Sequence, residues 1–182
     1  MHRSGPLALG LAVCGLYAVA AGADAIDDGT PAAATAWVGK WRLDRDRSDP
    51  DESLLIALDV SWMVRKIAAA FTPTFAVTAS DGGVGFATKT PLGSRVDRFH
   101  GDGVERDGED LLGRSYRESS RWTPEGHLVV NRALKLDDRT TDIEIVWSVN
   151  GATLVSITTV EVEADSRLRV RRVFDRVTGD DS

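Results

Sequence analysis

Two arginines interrupt stretches that otherwise alternate apolar residues toward one side. Leu168, Val170, Arg172 and Phe174 share one face of such a stretch, while Arg167, Arg169, Arg171, Val173 and Asp175 share the other. Leu128, Val130, Arg132, Leu134 and Leu136 repeat the pattern earlier in the chain. A guanidinium keeps its proton at any physiological pH, so an arginine on an apolar face needs an anionic partner or ordered water. Three arrangements meet that need: a bound anionic ligand, an internal Glu or Asp, or a strand-end position from which the side chain reaches solvent. The first is binding chemistry and the other two are structural.

Other chemistries lack the residues they require. His100 and His127 each stand alone, and the acidic pairs Asp27-Asp28, Glu109-Asp110 and Asp137-Asp138 fall in turns or tails, where solvated carboxylates are the simpler reading. No Ser-His-Asp order, P-loop or GxGxxG occurs. With a single cysteine, Cys14, there is neither a disulfide framework nor a cysteine-based zinc site. An enzyme acting on a lipid-like substrate would have to use Arg172 with Arg132 or Glu118, and no nucleophile–base pair accompanies them. No catalytic residues, cofactor or metal are expected. The balance of 22 basic against 28 acidic groups, a net charge of −6, argues against a nucleic-acid partner.

The elements that position the arginines follow from the rest of the 182 residues. Met1-His2-Arg3, an apolar run from Leu7 to Ala21, and Ala23-Asp24-Ala25 read as a secretory signal peptide over residues 1–25, since the run is shorter than the ~20 residues of a membrane span. Cleavage removes Arg3, Asp24 and the cysteine, and leaves the charge at −6. A secreted or periplasmic location follows, with no stable membrane insertion after cleavage. Residues 26–36 read as a flexible leader, 37–178 as the folded domain and 179–182 as a disordered tail. Val38-Gly39-Lys40-Trp41-Arg42-Leu43 predicts a first strand that buries Val38, Trp41 and Leu43. Ser48-Asp49-Pro50-Asp51-Glu52 predicts a helix start, with Leu54, Leu55 and Leu58 at helical spacing. A second helix, Ser61 to Ala70, presents Trp62, Met63, Ile67 and Ala70 on one face and stops at Thr72-Pro73. From Thr74 onward the period is two, punctuated by turn signals that include Asp107-Gly108-Glu109-Asp110, Pro124-Glu125-Gly126 and Asn150-Gly151. Short strands joined by tight turns, one before the helices and nine after, predict an all-β, ten-stranded, antiparallel up-and-down barrel with a two-helix lid between strands 1 and 2.

The order of these motifs resembles the intracellular fatty-acid-binding protein family of the calycin superfamily. Gly39-Lys40-Trp41-Arg42-Leu43 is similar to its opening Gly-x-Trp strand, and Leu54 to Pro73, with the Arg65-Lys66 pair, is similar to its helical lid. Thr90-Pro91-Leu92-Gly93-Ser94 resembles its portal turn, and Arg172-Val173-Phe174 its terminal Arg-x-Tyr motif. The resemblance implies a monomeric carrier of a fatty acid or similar small hydrophobic ligand, with anionic lipids among the candidates. It makes Arg172 the carboxylate anchor and places Trp62, Met63 and Leu92 at the portal. Two departures thin the anion site: Phe174 stands where the motif has tyrosine, and Ile145 stands where the family has a second internal arginine, a role Arg132 can take one strand earlier. A neutral lipid then becomes a candidate ligand. The rival to a carrier is a structural or protein-interaction barrel whose five Trp and five Phe fill the interior.

Overall fold

Residues 32–80, 83–91, 93–163 and 166–178 are described by the computed structural model. The expected signal peptide, Leu92 and the expected tail lie outside the described residues, as does the leader up to residue 31. A short helical turn α1 (Ala32–Thr35) comes first, followed by β1 (Gly39–Asp44), α2 (Glu52–Ala57) and α3 (Trp62–Ala70). Nine strands then run as β2 (Thr74–Ser80), β3 (Gly83–Thr90), β4 (Gly93–Phe99), β5 (Arg106–Glu109), β6 (Ser115–Trp122), β7 (Leu128–Lys135), β8 (Thr140–Asn150), β9 (Thr153–Glu163) and β10 (Ser166–Arg176). No helix among the described residues is long and apolar enough to cross a membrane.

Sequential strands pair antiparallel because tight turns leave them no other partner, and β1 joins β2 to β10. The sheet curls with the order β4-β3-β2-β1-β10-β9-β8-β7-β6-β5, so the ladder of the expected barrel is interrupted between β4 and β5. Other bonds bridge that seam. Gly101 N–H donates to Ser120 Oγ at 3.1 Å and Gly103 N–H to the Ser120 carbonyl at 2.7 Å, laying the β4–β5 connection over β6.

Alternation aims two kinds of apolar surface inward. Toward the α1 end the interior is aromatic: Trp37, Trp41, Phe75, Phe86, Phe99 and Phe174 are buried, with Trp122 and Trp147 packed against them. Toward α2 it is aliphatic: Leu54 of the lid sits on Leu134, Leu136, Ile143, Val160 and Val170. The folded structure begins before the expected start at Trp37, because Ala34 of α1 is fully buried and Trp41 Nε1–H donates to the Trp37 carbonyl at 2.9 Å. Val38 is 40% exposed rather than buried, since it lies just outside β1. Asp107 to Glu109, expected as part of a turn, are strand residues of β5. The turn comes later, at Asp110 to Gly113, where the backbone φ of +75° suits glycine.

Candidate functional site

The inward residues of β10 carry Arg172 to the lid end of the barrel. Its Nε–H donates to Asp51 Oδ1 at 2.7 Å, just ahead of α2. Asp51 occupies the position before the first turn, yet its carboxylate makes no capping bond, because it is committed to Arg172. Two further arginines from the strand side fasten the same helix. Arg139 Nη2 lies 2.9 Å from Asp59 Oδ2 and 3.3 Å from the Ala57 carbonyl, and Arg114 Nη1 donates to the Leu58 carbonyl at 2.5 Å. The carbonyls at a helix C-terminus lack intrahelical partners and carry partial negative charge, so guanidinium groups fit there. Arg114 is itself held by Asp110 at 2.7 Å. Burial alone would raise the Asp110 pKa, but hydrogen bonds from the Arg114 backbone and side chain and from the Leu112 N–H hold it below the usual carboxylate value.

Arg132 on β7 points inward, as its apolar neighbours predict, and finds an internal acid. Register pairs it with Glu118 on β6, and Nε and Nη2 both donate to Glu118 Oε2, at 2.8 and 2.5 Å. Across the β4–β5 seam, Arg95 donates to Asp97 Oδ1 at 2.5 Å and also reaches the Glu109 carbonyl and the Tyr116 hydroxyl. The Tyr116 ring lies between the two guanidinium groups, 4.1 Å from Arg132 Cζ and 5.5 Å from Arg95 Cζ. Burial raises the Glu118 pKa, opposed by the charge and hydrogen bonds of Arg132. Burial likewise raises that of Tyr116. The result is two cations, two acids and a phenol in a partly buried, charge-balanced network.

Three hollows touch these groups. A cleft of about 270 Å3 opens between the β1–α2 loop and the helices, lined by Leu43, Asp51, Leu55, Arg65 and Ala68 among others. A pocket of about 130 Å3 lies at the seam against Arg95, Asp97, Tyr116, Glu118 and Ser120. A groove of about 370 Å3 runs across β6 to β10, lined by Arg117, Asn131, Asp142, Glu144 and Glu161 among others, and it reaches Arg132 and Ile143.

The sequence-derived residues are not all brought together. Arg172 and Asp51 sit under the lid, Ile145 touches both the aromatic and the aliphatic cluster, and Phe174 is buried in the aromatic one. Trp62 and Met63 face solvent instead, 63% and 66% exposed, with Lys66 Nζ 5.9 Å from the Trp62 ring centre. The α3 face expected to line the portal is therefore the outer face of the lid. Arg95, Asp97 and Tyr116 are not among the residues that the sequence pattern singles out, and Glu118 is among them only as a candidate enzyme residue. Alternation does put Tyr116, Glu118, Ser120 and Trp122 on one face. Trp122 Nε1 and Trp147 Nε1 are buried donors with no acceptor among the described residues. No cluster of three or more His, Cys, Asp or Glu able to hold a metal occurs among the described residues.

Ten antiparallel strands, a helical lid after the first and a mixed apolar interior define the fatty-acid-binding-protein-like calycin fold. Solved structures agree. A Schistosoma mansoni fatty acid binding protein in complex with arachidonic acid is 25% identical, with a TM-score of 0.65 over 80% of this chain and 99% of that one. The apo Caenorhabditis elegans lipid binding protein 8 is 16% identical, with a TM-score of 0.65 over 79% and 96%. Human cRBP IV is 20% identical, with a TM-score of 0.59 over 77% and 97%. No protein-family model and no curated protein sequence matches the chain.

Proposed function

We propose that this protein non-covalently binds and carries a fatty acid or a similar small hydrophobic ligand in the lid half of its barrel, without chemical turnover. The observation that carries the reading is the inward aliphatic cluster of Leu134, Leu136, Ile143, Val160 and Val170 beneath Leu54 of α2. It lies in a fold shared with a protein solved around arachidonic acid. Affinity comes mainly from burying the acyl chain, at ~0.8 kcal/mol per methylene. The cleft beside Leu43 and Leu55 gives access below the helices, and the arginines that fasten α2 set how readily it lifts. The chain acts as a monomer, and it is exported: the apolar run and the Ala23-Asp24-Ala25 site support a signal peptide. Protein from the periplasm or medium that begins at Ile26 agrees with export; retained Met1 in cytosolic protein overturns it.

Native mass spectrometry and solvent extraction of the purified protein, followed by titration with a fluorescent fatty acid, test the binding. Saturable uptake that competes with extracted lipid is the expected result. A barrel that is isolated empty and takes up no lipid overturns the reading. A second reading, a filled interaction module, rests on the aromatic end, where Phe75 contacts Phe86, Trp147 and Phe174 with ring centres 4.9 to 6.0 Å apart.

A further inference from the structure

The polar groups that face the interior are unusual in their bookkeeping. Arg132 is matched by Glu118, Arg95 by Asp97 and Arg172 by Asp51, each cation to its own carboxylate. At the opposite end, Arg176 faces inward over the Trp41 ring at 4.3 Å and donates to the Ala36 carbonyl at 2.6 Å and to that of Val38. A ligand carboxylate placed against Arg132 would stand beside Glu118, and two like charges in a partly desolvated site oppose each other. A group that is neutral and both donates and accepts meets no such opposition.

The geometry of the pair is suited to such a group. Both Arg132 bonds end on one oxygen, Oε2, so Oε1 of Glu118, which lines the seam pocket, remains as an acceptor. In the adjoining seam pocket, Asp97 adds acceptors, and the Tyr116 hydroxyl, which accepts from Arg95, has its own proton to give. Its volume of about 130 Å3 exceeds the ~30 Å3 share of one water several-fold, enough for a hydroxylated head and its first carbons. We propose that the seam between β4 and β6 receives the head group of the bound lipid and selects a neutral, hydroxyl-bearing one over a free carboxylate.

This proposal rests on the ligand-binding reading and narrows its substrate class. Removing the Glu118 charge relaxes the selection by releasing the Arg132 charge. The charged and titratable groups around Glu118 are Arg132 on β7, Arg95 and Asp97 on β4, Tyr116 on β6 and Arg106 on β5, with His100 and Asp107 at the mouth. Arg106 is occupied by Asp102 at 2.7 Å.

The test is displacement of the neutral dye Nile red from delipidated protein by monolaurin and by laurate. At neutral pH monolaurin should bind at least about ten-fold tighter. In Glu118→Gln the ratio should move toward laurate by about ten-fold or more. Should Glu118→Gln fail to fold, Asp97→Asn carries the test. Equal or tighter laurate binding at neutral pH, or a ratio indifferent to the substitution, overturns the selection and leaves the binding reading standing. If Nile red and both lipids fail to bind, the binding reading falls and this inference falls with it.

Discussion

Replacing Arg172 with alanine separates its two candidate roles, because a lid tie and a ligand anchor respond oppositely to loss of Asp51. The pair meets through one charge-assisted bond of 2.7 Å, and the side chains are 27% and 30% exposed. Exposed pairs contribute about 0–1 kcal/mol, while breaking a buried pair costs about 3–5. Partial burial with a single bond, discounted for screening, places the coupling at about 1 kcal/mol, roughly 3 °C in melting temperature for a domain of this size. Urea denaturation of Arg172→Ala, Asp51→Ala and the double variant measures it. Each single change should lower stability by about 1–2 kcal/mol and the double change by little more, with a coupling that shrinks as salt rises. Both single variants should also speed fatty-acid exchange, since either one loosens α2. The reasoning is refuted if the two losses simply add. It is equally refuted if Arg172→Ala abolishes fatty-acid affinity while Asp51→Ala strengthens it, which is the pattern of a carboxylate anchor freed from a competitor.

Three further outcomes check the packing and the electrostatics. Phe75→Ala removes a buried ring that touches three others and should cost about 3–5 kcal/mol in chemical denaturation; a loss below about 1 would mean that the aromatic end is loosely packed. Gly108→Ala puts a methyl within 2.5–2.6 Å of the Tyr116 ring, which is hemmed in by Arg95 and Arg132, so it should destabilise by about 1–3 kcal/mol; a neutral result would show that the ring swings aside freely. Asp110 has a pKa lowered from 3.8, so the stability it gives is present above that value and is lost as pH falls below it through the depressed pKa. Hydrogen exchange at α2 should therefore rise on acidification past about pH 4, and Asp110→Asn should remove that part of the pH response; an unchanged profile sinks the link between Asp110, Arg114 and the Leu58 carbonyl.

Period-two alternation and turn chemistry were enough to read the strands, because each side chain's face is set by parity alone. The inward direction of Arg132 and Arg172 was legible for the same reason. Their partners were not, for two different reasons. Asp51 lies 121 positions from Arg172, and only the folding of the lid onto β10 joins them. Glu118 was within reach of the sequence: a hairpin centred on Pro124-Glu125-Gly126 that pairs Trp122 with Leu128 also pairs Glu118 with Arg132. Arg95 and Asp97 could not be found this way, since they meet Tyr116 across the unpaired seam and no hairpin links β4 to β6. Asp107-Gly108 misled because that dipeptide favours turns, whereas here the glycine is required opposite a tyrosine ring. Amphipathicity identified α3 as a helix but not which way it faces; its Trp62–Met63 side is turned to water.

The pairing of each inward arginine at the lid end with its own carboxylate bears on how the protein can work as a carrier. An uncompensated guanidinium in a partly buried site costs several kcal/mol, so a barrel that relied on its ligand for counter-charge would lose that much stability on release. Here Glu118, Asp97 and Asp51 supply the counter-charge from within the chain, and the barrel can fold and persist with or without cargo. Ligand then stabilises only by mass action, about 2.7 kcal/mol at a hundred-fold excess over Kd. The cost of that independence is lower affinity for anions, because each cation already has a partner. Affinity must then come mainly from the aliphatic cluster, while Arg172 ties the lid through Asp51 and Arg132 pairs with Glu118 beside the seam.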